Sequence, residues 1–174
     1  MLDCNNSFWH FSLTVYAKPG VADECLALQS RFNIDVNALL YCAWIGNAYK
    51  VRLTDEQLNN IDAHVRLWHR TIVRPLRAAR QDIKPMPAMA DDAVKDLRLD
   101  IARVELRAEQ IEQAMLFEFT RGLISNAAVT SPTDAVRHNV MALLRQAMAT
   151  EKTAGIETPK ADQLVTESIT YRPA

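Results

Sequence analysis

Apolar residues recur at steps of three and four along nearly the whole chain, with almost no clean period-two alternation, and this spacing predicts helices rather than strands. A first helix, Ser7 to Tyr16, is apolar almost all round, with Phe8, Phe11, Ser12 and Val15 on one side and Trp9, Leu13 and Tyr16 on another. Such a helix must be buried or docked. Lys18-Pro19-Gly20 breaks the chain and opens a second helix, with Val21, Cys25, Leu26 and Leu28 inward and an end at Phe32-Asn33. Asp35 stands where an N-cap belongs, before a core helix from Val36 to about Gly46 carrying Leu39, Leu40, Ala43 and Trp44, with Gly46-Asn47 as its stop.

Thr54 and Gln57 form a capping box that starts a helix through Leu58, Ile61, Val65, Trp68 and Ile72. Pro75 interrupts or kinks it, and a helical segment continues to Lys84. Lys84-Pro85-Met86-Pro87-Ala88 is a stiff connector, because residues before proline are pushed toward extended conformations. The longest helix runs from about Asp91 to Arg121, and Val94, Leu97, Ile101, Val104, Ala108, Ile111 and Met115 give it a coiled-coil-like seam that should lie along another helix. Ser131-Pro132-Thr133-Asp134 starts a further helix to about Thr150, with Val136, Val140, Leu143, Leu144 and Met148 inward. The expected fold is all-α, an irregular bundle of about six helices, with one domain over residues 1–152 and a mobile or loosely docked tail over 153–174. Within that tail, Thr158-Pro159 could start a short helix through Leu164 and Val165.

Composition adds little beyond exclusions. The 174 residues are 49% hydrophobic and 24% charged, with 20 Lys and Arg against 21 Asp and Glu for a net charge of −1, so whole-chain disorder and a dedicated basic nucleic-acid domain are both disfavoured. Met1 to Asn6 lacks the charge and apolar run of a secretory signal, and the longest apolar run, Ala38 to Gly46, is far too short for a bilayer. Cys4, Cys25 and Cys42 are odd in number and lack C-x-x-C spacing, which suits free thiols in a reducing compartment. A cytoplasmic location without membrane attachment is the resulting expectation.

The stretch Phe8-Trp9-His10-Phe11-Ser12-Leu13-Thr14-Val15-Tyr16, followed by Pro19-Gly20-Val21, Cys25-Leu26, Leu28-Gln29 and Asp35-Val36-Asn37-Ala38-Leu39-Leu40 through Trp44 and Gly46, resembles a family of uncharacterised bacterial proteins, mostly proteobacterial. The resemblance covers roughly the first two thirds of the chain. It implies a bacterial, cytoplasmic, helical protein and brings no reaction, cofactor or partner. One departure is Asn33-Ile34, where the family pattern has a glycine just before the aspartate.

Candidate chemistry is sparse. The histidines are His10, His64, His69 and His138, and none forms the H-x-x-x-H pair by which one helix face grips zinc, so no metal or other cofactor is expected. Glu105, Glu109 and Glu112 share one stripe of the long helix, but no Glu-x-x-His accompanies them, and a solvated or salt-bridged face is the plainer reading. Asp35 and Asn37 could bind a ligand at a helix N-terminus, although capping alone accounts for Asp35. Ser12 lacks a nucleophile elbow, and Gly-rich phosphate loops are absent. No catalytic residue is assigned, and a non-enzymatic role is favoured.

The sharpest charge pattern is the basic stripe Arg66, Arg70, Arg74, Arg77, Arg80 and Lys84. Residues 64–84 hold six basic residues against one acid, and residues 85–120 hold eight acids against four basic residues, so an antiparallel hairpin could neutralise itself. Three functional readings follow. The leading one is an adaptor or regulator that binds another protein, with self-association left open, through apolar helix faces. The second binds nucleic acid or another polyanion through the basic stripe. The third is a small-molecule or lipid pocket, with Trp9, Tyr16, Asp35, Asn37, Tyr41, Trp44 and Trp68 as pocket or interface candidates.

Overall fold

The computed structural model describes residues 1–124, 129–150 and 160–173. In chain order the elements are α1 (Ser7–Tyr16), α2 (Val21–Phe32), α3 (Val36–Tyr49), α4 (Asp55–Trp68), a π-helical turn (His69–Val73), α5 (Arg74–Ile83), a 3-10 turn (Pro87–Ala90), α6 (Asp92–Leu123), α7 (Pro132–Thr150) and α8 (Asp162–Thr170). The protein is an all-α bundle with one long helix. Among the described residues the only β pairing is a single bridge between Val51 and Val129. No helix among them is long and apolar enough to cross a membrane.

Side chains fix the helix starts as the sequence implies. Asn6 accepts from the Trp9 N–H, Asp35 from Asn37, Asp91 from Ala93 and Ser131 from Asp134, and Thr54 with Gln57 closes a reciprocal capping box. The end of α3 departs from expectation. Gly46 does not stop the helix; the helix runs on to Tyr49 and closes at Lys50, which adopts the left-handed conformation at φ 59°.

Gly46 serves packing instead. A Cβ built on it would lie 2.5 Å from the Val136 backbone nitrogen and 2.6 Å from its Cα, so only glycine lets α3 and α7 cross this closely. Buried on nearly every side, α3 forms the centre of the core, which explains why its sequence has no polar face. Phe8, Tyr41 and Trp44 pack with ring centroids 5.2 to 5.8 Å apart, edge-on or tilted, as the ring quadrupoles favour. Asn139 of α7 is fully buried and fully used: its Oδ1 accepts from the Leu53 N–H, and its Nδ2 donates to the carbonyls of Val51 and Cys42.

Two further elements position the candidate site. Pro75 cannot donate a backbone hydrogen bond, and its ring crowds the preceding turn. The chain widens just before it into a π turn, in which the Arg74 N–H reaches the carbonyl of His69 five residues back. Along α6 the apolar seam is only partly the buried face. Of the seam, Leu97 and Val104 are about half exposed while Ala108 is buried, and Glu105, Glu112 and Leu116 are buried beside it, because α5 and the π turn pack there largely through charged pairs. The expectation for the C-terminal tail falls partly outside the described residues. Within 160–173, α8 packs on α2, α3 and α7 with Leu164 and Val165 buried.

Candidate functional site

A cavity of about 510 Å³ opens between α1, α2, α3, α5 and α6. Trp9, Leu13, Tyr16, Leu26, Val36 and Leu40 give it an apolar wall, and Arg77, Arg80, Glu105, Glu109 and Gln113 give it a polar one. Its size suits a small organic molecule. The polar wall is an ion network between α5 and α6: Arg77 Nε donates to Glu105 at 3.0 Å and Arg77 Nη2 to Glu109 at 2.6 Å, while Arg80 grips both oxygens of Glu105. Burial would raise the Glu105 carboxyl, but the hydrogen bonds from Arg80 and Arg77 outweigh it and hold that group below its ordinary value. For Glu109 burial wins over Arg77, and its pKa is raised.

Behind this wall runs a buried polar chain, whose orientation follows from charge. Glu112 is fully buried and as a carboxylate can only accept, so the Asn37 amide turns its Nδ2 toward Glu112, at 2.6 Å. Asn37 Oδ1 then faces Gln113 and accepts from its Nε2 at 2.8 Å. Gln113 is thereby left with its Oε1 buried and without a hydrogen-bond partner among the described residues. Ser12 Oγ is likewise buried and unpartnered, and both residues line the cavity. Buried oxygens without partners are uncommon, and each costs about 1–3 kcal/mol when left so.

At the other end of the chain, His69 Nδ1 lies 3.1 Å from Glu112 Oε1 and 3.3 Å from Asp35 Oδ2. Burial, then Glu112, pushes the Asp35 carboxyl up to about 7 against the opposing pull of His69. Burial lowers His69, but the hydrogen bond to Glu112 and the charge of Asp35 outweigh it, and its pKa is raised. His69 lines a second pocket of about 500 Å³, which shares Leu26, Gln29, Arg77 and Gln81 with the first.

Of the residues singled out from sequence, Trp9, Tyr16, Asn37, Arg77 and Arg80 come together around the cavity. Tyr41 and Trp44 lie in the core instead, Tyr41 donating to or accepting from Thr120 at 2.8 Å. Trp68 is half-buried and donates its indole N–H to the Ala108 carbonyl at 3.0 Å. Asp35 caps α3 with Oδ1 and turns Oδ2 to His69. The basic stripe is divided: Arg66 pairs with Asp62 on its own helix, Arg77 and Arg80 pair with the acids of α6, and Arg70, Arg74 and Lys84 are exposed. The Glu105, Glu109 and Glu112 stripe is salt-bridged but not solvated, since it faces α5 and the π turn.

His69, Glu112, Gln113 and Ser12 were not marked by sequence as belonging to the site. The available signal was that Glu112 sits a helical turn from two apolar residues, Ala108 and Leu116.

A family model described as a protein of unknown function (DUF2390) matches residues 7–116, a span that contains both pockets and the polar chain between them. No curated protein and no solved structure matches the chain.

Proposed function

The chain belongs to the DUF2390 family, and we propose that this member binds a small amphiphilic molecule in the cavity between α1, α2 and α6, the molecule's polar end bearing an O–H or N–H donor. The observation that carries this reading is the pair of buried, unpartnered oxygens, Gln113 Oε1 and Ser12 Oγ, in a cavity that is otherwise apolar on the α1 side. Gln113 Oε1 can only accept, so it selects a donor; Trp9, Leu13, Tyr16 and Leu40 take the apolar part. The charged residues of the opposite wall largely satisfy one another, which leaves the amide and the hydroxyl to set orientation. A binding protein of the bacterial cytoplasm fits the unpaired Cys25 and Cys42, whose thiols burial holds well above their ordinary values.

Titration calorimetry with medium-chain alkanols and alkylamines tests this, with the matching methyl ethers, which accept but cannot donate, as controls. Alkanols or amines should bind more tightly than the ethers by about 10–100-fold, the equivalent of one buried hydrogen bond, and Gln113→Leu should erase the difference. Equal binding of donors and ethers, or no binding of either, contradicts the reading.

A second reading has one observation in its favour. Leu97 and Val104 of α6 stand about half exposed on one line of the helix, and a protein partner docking there would make this an adaptor. Replacing both with Glu should then abolish capture of a partner that the unaltered chain retains from lysate after nuclease treatment. Undiminished capture removes this reading.

A further inference from the structure

Asp35, His69 and Glu112 come from three separate elements, the start of α3, the π turn and the middle of α6, and their ligating atoms all lie within 4.8 Å of one another. We infer that these three side chains form a binding site for one divalent first-row transition ion of the zinc or manganese type, a site independent of the cavity ligand.

The geometry within the cluster supports an ion rather than a mere contact. Asn37 holds both carboxylates: Asp35 Oδ1 accepts from its backbone N–H at 2.8 Å, and Glu112 Oε2, itself 3.4 Å from His69 Nδ1, accepts from its Nδ2 at 2.6 Å. Asn37 thus orients both carboxylates, as outer residues do around metal ligands. The other oxygens, Asp35 Oδ2 and Glu112 Oε1, stand 3.3 and 3.1 Å from His69 Nδ1, close to the spacing of neighbouring donors around an ion with bonds of about 2.0–2.2 Å. Two carboxylates with one imidazole suit zinc or manganese better than the all-oxygen sets of calcium or magnesium.

Charge points the same way. Two carboxyl groups and one imidazole are crowded together where Glu112 is wholly shut off from water. Arg77, whose charge acts on Asp35 and His69, is already occupied by Glu105 and Glu109. A divalent ion there neutralises both carboxylates at once, which a single shared proton cannot do. The π turn is the local distortion that presents His69 here, and such turns cluster at functional sites. The second pocket, lined by Asn33, Ile34, His69 and Arg74, reaches the imidazole from solvent and leaves a route for the ion.

The test is equilibrium dialysis of the chelator-stripped, full-length chain against Zn²⁺ or Mn²⁺ alone, read by elemental analysis. About one equivalent should bind and raise the melting temperature, as any ligand of the native state must. Asp35→Asn keeps a good N-cap while removing an anionic ligand, and His69→Gln removes the imidazole; both should fold, checked by circular dichroism, and lose the bound ion. Asn37→Ala should weaken uptake by about 10–100-fold. Failure of the parent to take up either ion would overturn the inference and leave an imidazolium bridging two carboxylates. Uptake that survives intact in both Asp35→Asn and His69→Gln would overturn it too, by placing the ion elsewhere.

Discussion

Gly46→Ala is the smallest change that should damage this fold severely. The added methyl would sit 2.5 Å from Val136 N, 2.6 Å from Val136 Cα and 2.8 Å from the Ala135 carbonyl carbon, all backbone atoms that cannot swing aside. Ordinary contacts need about 3.5 Å, so α3 and α7 must part locally by roughly 1 Å. Overpacking of this kind costs about 1–3 kcal/mol, and more where both sides are rigid. Parting the helices also strains the Asn139 bonds to Cys42, Val51 and Leu53, each worth about 1 kcal/mol net and more if left unmade. Alanine's better helix propensity returns about 1 kcal/mol. A net loss of about 2–4 kcal/mol remains, a large part of a domain's 5–15 kcal/mol or so. With a urea slope of about 2 kcal/mol/M, the midpoint followed by circular dichroism should fall by roughly 1–2 M. Gly122→Ala is the internal control: its Cβ would meet nothing within 4 Å, so it should be neutral or slightly stabilising. A Gly46→Ala midpoint equal to or above the parent's would refute the close crossing of α3 and α7.

Three further outcomes are expected. Asn139→Leu should cost about 2–4 kcal/mol in the same urea assay, because one backbone donor and two backbone acceptors lose their partner; a loss under about 0.5 kcal/mol would mean water satisfies them. The Arg pairs hold Glu105 below its unfolded value of about 4.3, so their contribution is fully present above that pH and is lost as pH falls through the lower folded value. Glu105→Gln should therefore flatten the decline of thermal stability below pH 4.3 or so, and an unchanged slope would show that the pair does not persist in solution. Replacing Arg70 and Arg74 with Gln, both exposed, should leave stability within about 0.5 kcal/mol of the parent; if the basic stripe contacts a polyanion, filter binding at low salt should weaken on every sequence alike, and a parent that binds nothing at low salt rules that role out.

The helices were legible because each signal was local. Thr54 with Gln57, Asp35, and Ser131 before Pro132 mark starts by hydrogen bonds spanning three residues or fewer, and the unbroken apolar run around Leu40 marks the central helix. Gly46 misled because a glycine near the end of an apolar run looks the same whether it stops a helix or admits another. Only the position of Val136, far along the chain, distinguishes the two. The self-neutralising hairpin could be anticipated from charge blocks, and Arg77 and Arg80 do pair with α6. Which acids they would bury could not, since seam and stripe share one helix and tertiary packing buried parts of both, Ala108 from the seam and Glu105 and Glu112 from the stripe. Asp35 and Asn37 were visible as a polar pair, yet their meeting with His69, Glu112 and Gln113 depends on the π turn, whose register no local pattern encodes.

Binding in the cavity is most directly read from the indole N–H signals of the three tryptophans in a proton–nitrogen correlation spectrum. Trp9 lines the cavity, Trp44 lies in the core, and Trp68 donates to Ala108 on another face of α6. Titration with a medium-chain alkanol should move the Trp9 signal saturably while Trp44 and Trp68 stay in place, and Leu13→Trp, which narrows the cavity from a half-exposed position, should abolish that movement. A Trp9 signal that remains fixed, or one that moves no more than those of Trp44 and Trp68, would contradict a ligand site between α1 and α6.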